Sequence, residues 1–461
     1  MHDMDYRLLP HNQHWHSPEK FPLLDPNLIK LATSPLVHQP GILQQLPLDI
    51  PGIYSLTGGR QVGKTTMLKQ WMQQLLEGGV APKAIAYMTG ELIDDHHALL
   101  NMIFSLREEM QTDGIHFLII DEVTYIRDWD KTVKFLADSG QTENMVLLLT
   151  GSDSVLIQQA RTRFPGRRGM ADQVDFHLYP LSFRETVNLK HGYKLVEEKL
   201  ATDSSAFLKH ELLAYMEHGG YLTAINDMVM HERILPATLR TYADWIRGDM
   251  LKHGKQEHYL REILSGVIKR YSSQLSWNAL SRDLSIDHPK TVSDYIDLLA
   301  SMDALFVQHA LQMDKLIAAP KKSRKVMFTD PFILHAARSW LQADTQPYET
   351  MIKPLVADAE WRGKLAESIV VNHFSRLHPT YYIKTSKGEV DIAIVHGRNI
   401  CPIEIKWTSQ LRSQDLKLVR QMPHGRVWAN VSGQFDLDGM MIEPLPLALY
   451  HIEANHAFKI A

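Results

Sequence analysis

The sequence predicts an α/β chain. It begins with a parallel sheet covered on both faces by helices, continues as a mainly helical stretch, and ends in a second, mixed α/β region. Three observations carry this. From residue 52, short apolar runs alternate with helical stretches: GIYSLTG, TTMLKQWMQQLLEGG, KAIAYMTG, a helix near 95–111, IHFLIID, a helix near 128–138, and NMVLLLTG. That order builds parallel sheets. Each apolar run is continuous rather than alternating, as expected of strands covered on both sides. Beyond 181 the texture is helical to about 260. The last hundred residues then mix a helix at 364–377 with the strand-like YYIKTS, VDIAIV and CPIEIKW and a helix near 410–421.

Composition bounds the rest. A chain of 461 residues is too long for one hydrophobic core. The 49 Lys and Arg against 53 Asp and Glu leave a net charge of −4, which argues against a histone-like polycation and a polyanionic tail but not against a local basic patch. The single cysteine, Cys401, removes any disulfide framework and any cysteine-based zinc site. The 24 histidines are scattered without an H-E-x-x-H pattern; the pairs His14/His16 and His96-His97 read as surface or core residues. No apolar run approaches a membrane span, and no apolar stretch follows a positive start, so a cytoplasmic protein is expected with no membrane partner. Residues 1–45, rich in Pro, His and Asn, read as an extended lead-in with one helix near 27–33.

The chemistry starts at Gly58-Gly59-Arg60-Gln61-Val62-Gly63-Lys64-Thr65, which fits G-x-x-x-x-G-K-[ST] without deviation, and Thr66 extends it into the helix. A triphosphate carries dense negative charge. A loop of backbone N–H groups must wrap it closely, which needs glycine at Gly58 and Gly63, and the next helix adds its positive N-terminal end. Lys64 is expected on the β- and γ-phosphates of ATP and the Thr65 hydroxyl on Mg²⁺. The partner motif, HFLIIDE, ends a buried strand in two acids 57 residues after Lys64. Asp121 is expected in the Mg²⁺ shell and Glu122 to orient and deprotonate the attacking water. At the tip of the neighbouring strand, Thr150 and Ser152 are candidates to contact the γ-phosphate or the water; Ser152 or Asp153 could equally cap a helix. Four arginines stand among Arg161–Arg168. They suit transition-state stabilisation in cis or across a subunit interface, a nucleic-acid contact, or a solvated loop.

The stretches GGRQVGKTTML, FLIIDEVTYIRDWDKTVKFLADSG, LLLTGSDS, FPGRRG and LYPLSFRE resemble the prokaryotic AAA+ family ATPases. More narrowly, the chain resembles the class in which the ATPase core precedes a winged-helix segment and a C-terminal nuclease-like domain. The resemblance implies an AAA+ type P-loop NTPase sheet over 46–180, a helical lid over 181–260, a winged helix-turn-helix over 261–335 and a restriction-endonuclease-like α/β domain over 336–461. It also implies nucleotide-dependent switching. By motif position Arg167 matches the arginine that commonly follows the glycine, with Arg168 leaving a one-residue ambiguity. An arginine acting in trans carries a homo-oligomer with it.

In the middle region, Ser276–Leu284, a turn at Ser285-Ile286-Asp287 and a helix from Pro289 read as helix-turn-helix. Val292, Ile296 and Leu299 form one buried stripe. Over 276–330, seven Lys and Arg face seven Asp, and Lys290 on the would-be reading helix stands against Asp294 and Asp297. That is a poor major-groove reader. Lys321-Lys322-Ser323-Arg324-Lys325 is the basic cluster expected to meet a polyanion, DNA before RNA.

The C-terminal region offers Glu367 in a helix, Asp391 in GEVD, then Glu404 and Lys406 in IEIK. The 13 residues from Asp391 to Glu404 allow a hairpin, and Glu404 and Lys406, two apart, share a strand face. Asp391, Glu404 and Glu367 would hold Mg²⁺, and Lys406 would position water or stabilise charge. The set resembles the PD-(D/E)XK nuclease fold; a half-buried sheet with a Glu404–Lys406 salt bridge fits the same spacing. The sequence therefore supports a Mg²⁺-dependent ATPase whose nucleotide state controls a nuclease-like domain, or a nucleotide-operated switch whose tail only binds.

Overall fold

The computed structural model describes residues 8–110, 112–153, 157, 166–284 and 286–452. Arg161, Arg163 and the turn residue Ser285 lie outside the described residues. The chain divides into two compact units, residues 1–179 and 180–461.

The first unit is built on a five-stranded sheet: β1 (Gly52–Thr57), β2 (Ile85–Thr89), β3 (His116–Asp121), β4 (Met145–Thr150) and β5 (Asp175–His177), in the order β2-β3-β4-β1-β5 with every pairing parallel. The four apolar runs supply β1 to β4. The fifth strand, only three residues long, is too short and polar to stand out in the sequence. Alternate side chains of each strand feed opposite cores. Ile53, Met88, Ile120 and Leu147 pack with α3 (His96–Glu109) and α4 (Trp129–Asp138). Tyr54, Tyr87, Ile119 and Leu148 pack with Met67, Trp71 and Leu75 of α2 (Lys64–Glu77).

The lead-in is not a loose segment. Its helix α1 (Pro26–Ala32) places Leu28, with Phe21, Leu43 and Leu46, in the second of these cores, while Trp15 joins the first. It also solves an edge problem. β2 lies at the rim of the sheet, where unpaired backbone groups need partners. Asn12 accepts from Tyr87 N and donates to Tyr87 O, both at 2.8 Å. Trp15 Nε1 donates to Ile85 O at 2.6 Å, and His14 Nε2 lies 2.9 Å from the same oxygen. Side chains thus stand in for a missing sixth strand. Burial pushes the His14 imidazole down to about 4.

The second unit opens with helices α5 (Phe183–His191), α6 (Tyr193–His218), α7 (Leu222–His231), α8 (Pro236–Lys252) and α9 (Glu257–Lys269). Two shorter ones follow, α10 (Trp277–Asp283) and α11 (Pro289–Ser301). Val292, Ile296 and Leu299 are buried in α11 and Pro289 takes its first position, while the Asp287/His288 side chains supply no cap there. Strands β6 (Leu305–Gln312), β7 (Ile317–Ala318) and β8 (Arg324–Phe328) come next, then α12 (Pro331–Gln342) and α13 (Ala359–Ser375). The chain continues through β9 (Thr380–Thr385), β10 (Gly388–His396), β11 (Asn399–Lys406), β12 (Arg426–Ala429), β13 (Phe435–Leu437), β14 (Met440–Pro444) and α14 (Leu445–His451).

The expected cut at 335 does not separate two sheets. β6 pairs antiparallel with β7 and β8 and parallel with β9, so the hairpin expected to be a wing is a wall of the C-terminal sheet. The helix expected over 410–421 is reduced to a 3-10 turn at Ser413–Leu416 and one helical turn at Lys417–Arg420.

Replacing Asn12 with Ala leaves Tyr87 N and O of the edge strand without these partners, at a cost of about 1–3 kcal/mol each. We expect a clear fall in the urea midpoint of N12A. A change below about 0.5 kcal/mol, the scatter of neutral surface substitutions, would show that the lead-in does not hold the edge.

Candidate functional site

The loop between β1 and α2 takes its shape from its glycines. Gly58 has φ +148°, and a Cβ there would sit 2.4 Å from Leu178 O. Gly63 has φ +104° and leads directly into α2. Lys64 is 5% exposed, and its ammonium donates to Gly58 O (2.8 Å) and Gly59 O (3.1 Å), folding the loop over its own side chain. Arg60 reaches across to the Tyr125 hydroxyl, and Gln61 adopts the left-handed conformation. Val62 packs against the Tyr54/Trp71 core, and Thr66 is the third residue of α2.

Asp121 ends β3 beside this loop. Its Oδ2 accepts from the Thr65 hydroxyl at 2.6 Å and the Tyr87 hydroxyl at 2.7 Å; its Oδ1 accepts from Thr150 and from Glu122 N at 3.1 Å. Thr65 and Asp121, both hard oxygen ligands, are thereby placed at one corner, which fits a divalent cation coordinated through a hydroxyl and a carboxylate. Glu122 has φ +51°, a conformation rare outside glycine, and turns its carboxylate to the tip of β4. There Ser152 donates to it twice, from Oγ (2.6 Å) and from N (3.2 Å), and Lys64 Nζ stands 3.9 Å away. Thr150 therefore contacts Asp121 and Ser152 contacts Glu122.

Two contributors escaped the sequence reading. Tyr87, inside an apolar strand, carries a hydroxyl that needs a buried partner, and burial with Asp121 beside it raises its phenol well above the usual value. Lys69, 1% exposed, lies 3.4 Å over the Tyr87 ring and 3.6 Å from Asp25, which also caps α1. Burial lowers its ammonium to about 8 against the pull of Asp25 and Asp121. A lysine one residue beyond Met67-Leu68 in an otherwise buried helix face was the available signal.

Arg167 and Arg168 make different contacts. Arg168 forks onto Asp175 (2.7 and 2.5 Å) and donates to Val174 O (2.9 Å), tying the start of β5 to β1. Arg167 is partly exposed and pairs with Asp138 at the end of α4.

In the second unit the acids converge as the spacing requires. Residues Ile392 and Ile403 pair across β10 and β11, and a register irregularity between Val390 and Ala393 turns Asp391, whose Oδ2 accepts from Ile405 N at 2.9 Å. Glu404, 5% exposed, pairs with Lys406, and its Oε2 has no hydrogen-bond partner. Burial, then Asp391, pushes its carboxyl up to about 8; burial likewise pushes Glu367 up to about 7.

One expectation is overturned here. Lys325 does not face a polyanion. It is 2% exposed and points among the acids, 2.7 Å from Glu367, 2.5 Å from Glu389 and 3.6 Å from Asp391. Those charges outweigh the effect of burial and raise its ammonium further. Arg324 is also engaged, stacked 4.4 Å over Trp277 and bonded to Pro320 O and Lys322 O. The reason is strand alternation: Lys325 and Met327 share one side of β8, and both sides are covered. Among the described residues, no group of three or more His, Cys, Asp or Glu is arranged to hold a metal ion. Glu367 and Asp391 are arranged around the Lys325 ammonium, and Glu404 lies beside Lys406.

Residues 51–187 match a family described as an AAA domain, and residues 209–344 and 362–443 match two domains of unknown function, DUF8612 and DUF4143. Among curated proteins, the chain is similar to an uncharacterized protein of Haemophilus influenzae, 25% identical over 279 residues (57% of this chain, 64% of that protein). It is also similar to one of Methanocaldococcus jannaschii, 24% identical over 304 residues (59% of each). It thus spans about three fifths of the curated relatives it matches. Among solved structures it is similar to a Walker-type ATPase of Pyrococcus abyssi (13% identity, TM-score 0.41, covering 62% of this chain and 91% of that one). The Aeropyrum pernix ORC2 protein is a second (13%, TM-score 0.36, covering 64% and 89%). Among the described residues no helix is long and apolar enough to cross a membrane. The glycine loop, Lys64 and the Asp121-Glu122 strand end lie in one place within the residues that match the AAA domain, so residues 51–187 are an AAA-type P-loop ATPase domain.

Proposed function

We propose that the chain is a Mg²⁺-dependent, nucleotide-operated switch whose second unit binds rather than cuts. The observation that carries it is the shared corner of Thr65 and Asp121 beside Lys64, with Glu122 one residue on. Thr65 and Asp121 would hold Mg²⁺, which would offset the charge that develops as the terminal phosphoryl group leaves. The chain's own residues do the rest. Backbone N–H groups of Gly58–Gly63 and the start of α2 hold the phosphates. Lys64 leaves the Gly58 and Gly59 carbonyls to pair with phosphate oxygen. Tyr87 and Thr150 fix the Asp121 carboxylate, so that Thr65 and Asp121 present oxygens without rearrangement. Glu122 takes the proton of the attacking water, oriented by Ser152.

Arg167, partly exposed and paired with Asp138, suits a role across a subunit interface better than Arg168, which is committed to β5. That reading implies a homo-oligomer formed with ATP. In the second unit, α10 and α11 support a helix-turn-helix reading, while β6 and β8 belong to the C-terminal sheet, and α13 against β9–β11 supports a restriction-endonuclease-like fold. Both serve here as binding surfaces. Nucleic acid is the alternative partner; it would meet the exposed Lys321 and Lys322, since Lys290 is paired with Asp294 at 3.5 Å.

Lys64→Ala removes the ammonium from the phosphates and is expected to abolish ATP turnover; unchanged phosphate release would sink the ATPase assignment. Ser152→Ala frees Glu122 and is expected to lower kcat about ten-fold with little change in KM, less than the roughly 10²–10⁴ attributed to a positioned base. Arg167→Ala is expected to lower turnover only at protein concentrations where light scattering shows ATP-dependent assembly. Equal loss in dilute monomer would place the arginine in cis.

A further inference from the structure

The acids of the second unit are already supplied with cations. Lys325 Nζ has three N–H donors and three carboxylates around it: Glu367 from α13 and Glu389 and Asp391 from β10. The ring of Tyr382 lies 5.6 Å from the same nitrogen. Lys406 serves Glu404. Together the two lysines carry the +2 charge that one divalent ion would bring. A divalent ion needs several oxygens at about 2.0–2.6 Å from one centre. Here the oxygens that face that centre are spread around an ammonium, and Asp391 Oδ2 is turned to Ile405 N.

We infer that Lys325 is the resident cation of this carboxylate centre, an internal replacement for a divalent metal, so that the C-terminal fold is held in a metal-independent state. The lysine cannot leave easily. It stands on β8, 2% exposed, with β6 alongside, and withdrawing it would leave three partly buried acids without their charge partner. The inference does not depend on nucleotide chemistry. It accounts for a set that has the spacing of a metal site in sequence but is arranged around a side chain.

The test counts ions. Full-length, nucleotide-free protein is titrated with Mn²⁺, and bound ion is read by electron paramagnetic resonance. Wild type and D391N are expected to bind the same number. K325A is expected to bind one ion more, and K325A/D391N to lose it again. An ion lost from wild type on D391N would overturn the proposal, because the site would then already hold metal. A K325A protein that keeps its circular dichroism spectrum but gains no ion would overturn it too. Should K325A fail to fold, the wild-type and D391N pair decides alone: equal counts support the internal cation, and a difference of one ion refutes it.

Discussion

A buried carboxylate persists only where donors surround it, and Asp121, 3% exposed, is the point on which the first unit is organised. Its two oxygens take four donors from four places: Thr65 on the phosphate-loop helix, Tyr87 on β2, Thr150 on β4 and the backbone of Glu122. Three of these are neutral hydroxyls. They satisfy the lone pairs without cancelling the charge, and the acid stays attractive to a cation at the loop. Every donor also ties the element that bears it to the end of β3.

The constraint spreads outward through Tyr87. Its hydroxyl is spent on Asp121, its ring receives Lys69, and its backbone is gripped by Asn12. Lys69 in turn leans on Asp25, whose carboxylate starts α1. A lead-in that looks like a Pro-rich approach to the domain is therefore one end of a chain of contacts, Asp25–Lys69–Tyr87–Asp121, that ends at the nucleotide site. It covers the sheet edge and steadies the acid with the same few residues.

How much of this the sequence disclosed follows from the range of the interactions. The strands β1 to β4, the glycine loop and the acids ending β3 are local patterns, and each was readable. The stripe of Val292, Ile296 and Leu299 was equally local. Asn12, Tyr87 and Lys69 act across tens of residues, and nothing adjacent to them marks a partner. Lys325 is the sharpest case. Four basic residues in KKSRK suggest a surface when read as composition, whereas the pleat of the following strand turns the last of them inward. The charge count of zero over 276–330 was correct, and it concealed that one of the positive charges was not available to solvent.

The two units meet the same electrostatic problem, clustered acid beside a sheet edge, and answer it in opposite ways. In the first, hydroxyls and backbone N–H groups hold Asp121 while its negative charge is retained. In the second, the Lys325 and Lys406 ammonium groups hold Glu367, Glu389, Asp391 and Glu404, and part of the charge is offset within the protein. Neutral donors leave a centre able to take a cation that comes and goes with nucleotide. Charged donors make a centre that is complete by itself and gains nothing from one. On that difference in donor type rests the proposal that the turnover chemistry belongs to residues 51–187 and that the carboxylates near 400 serve its architecture.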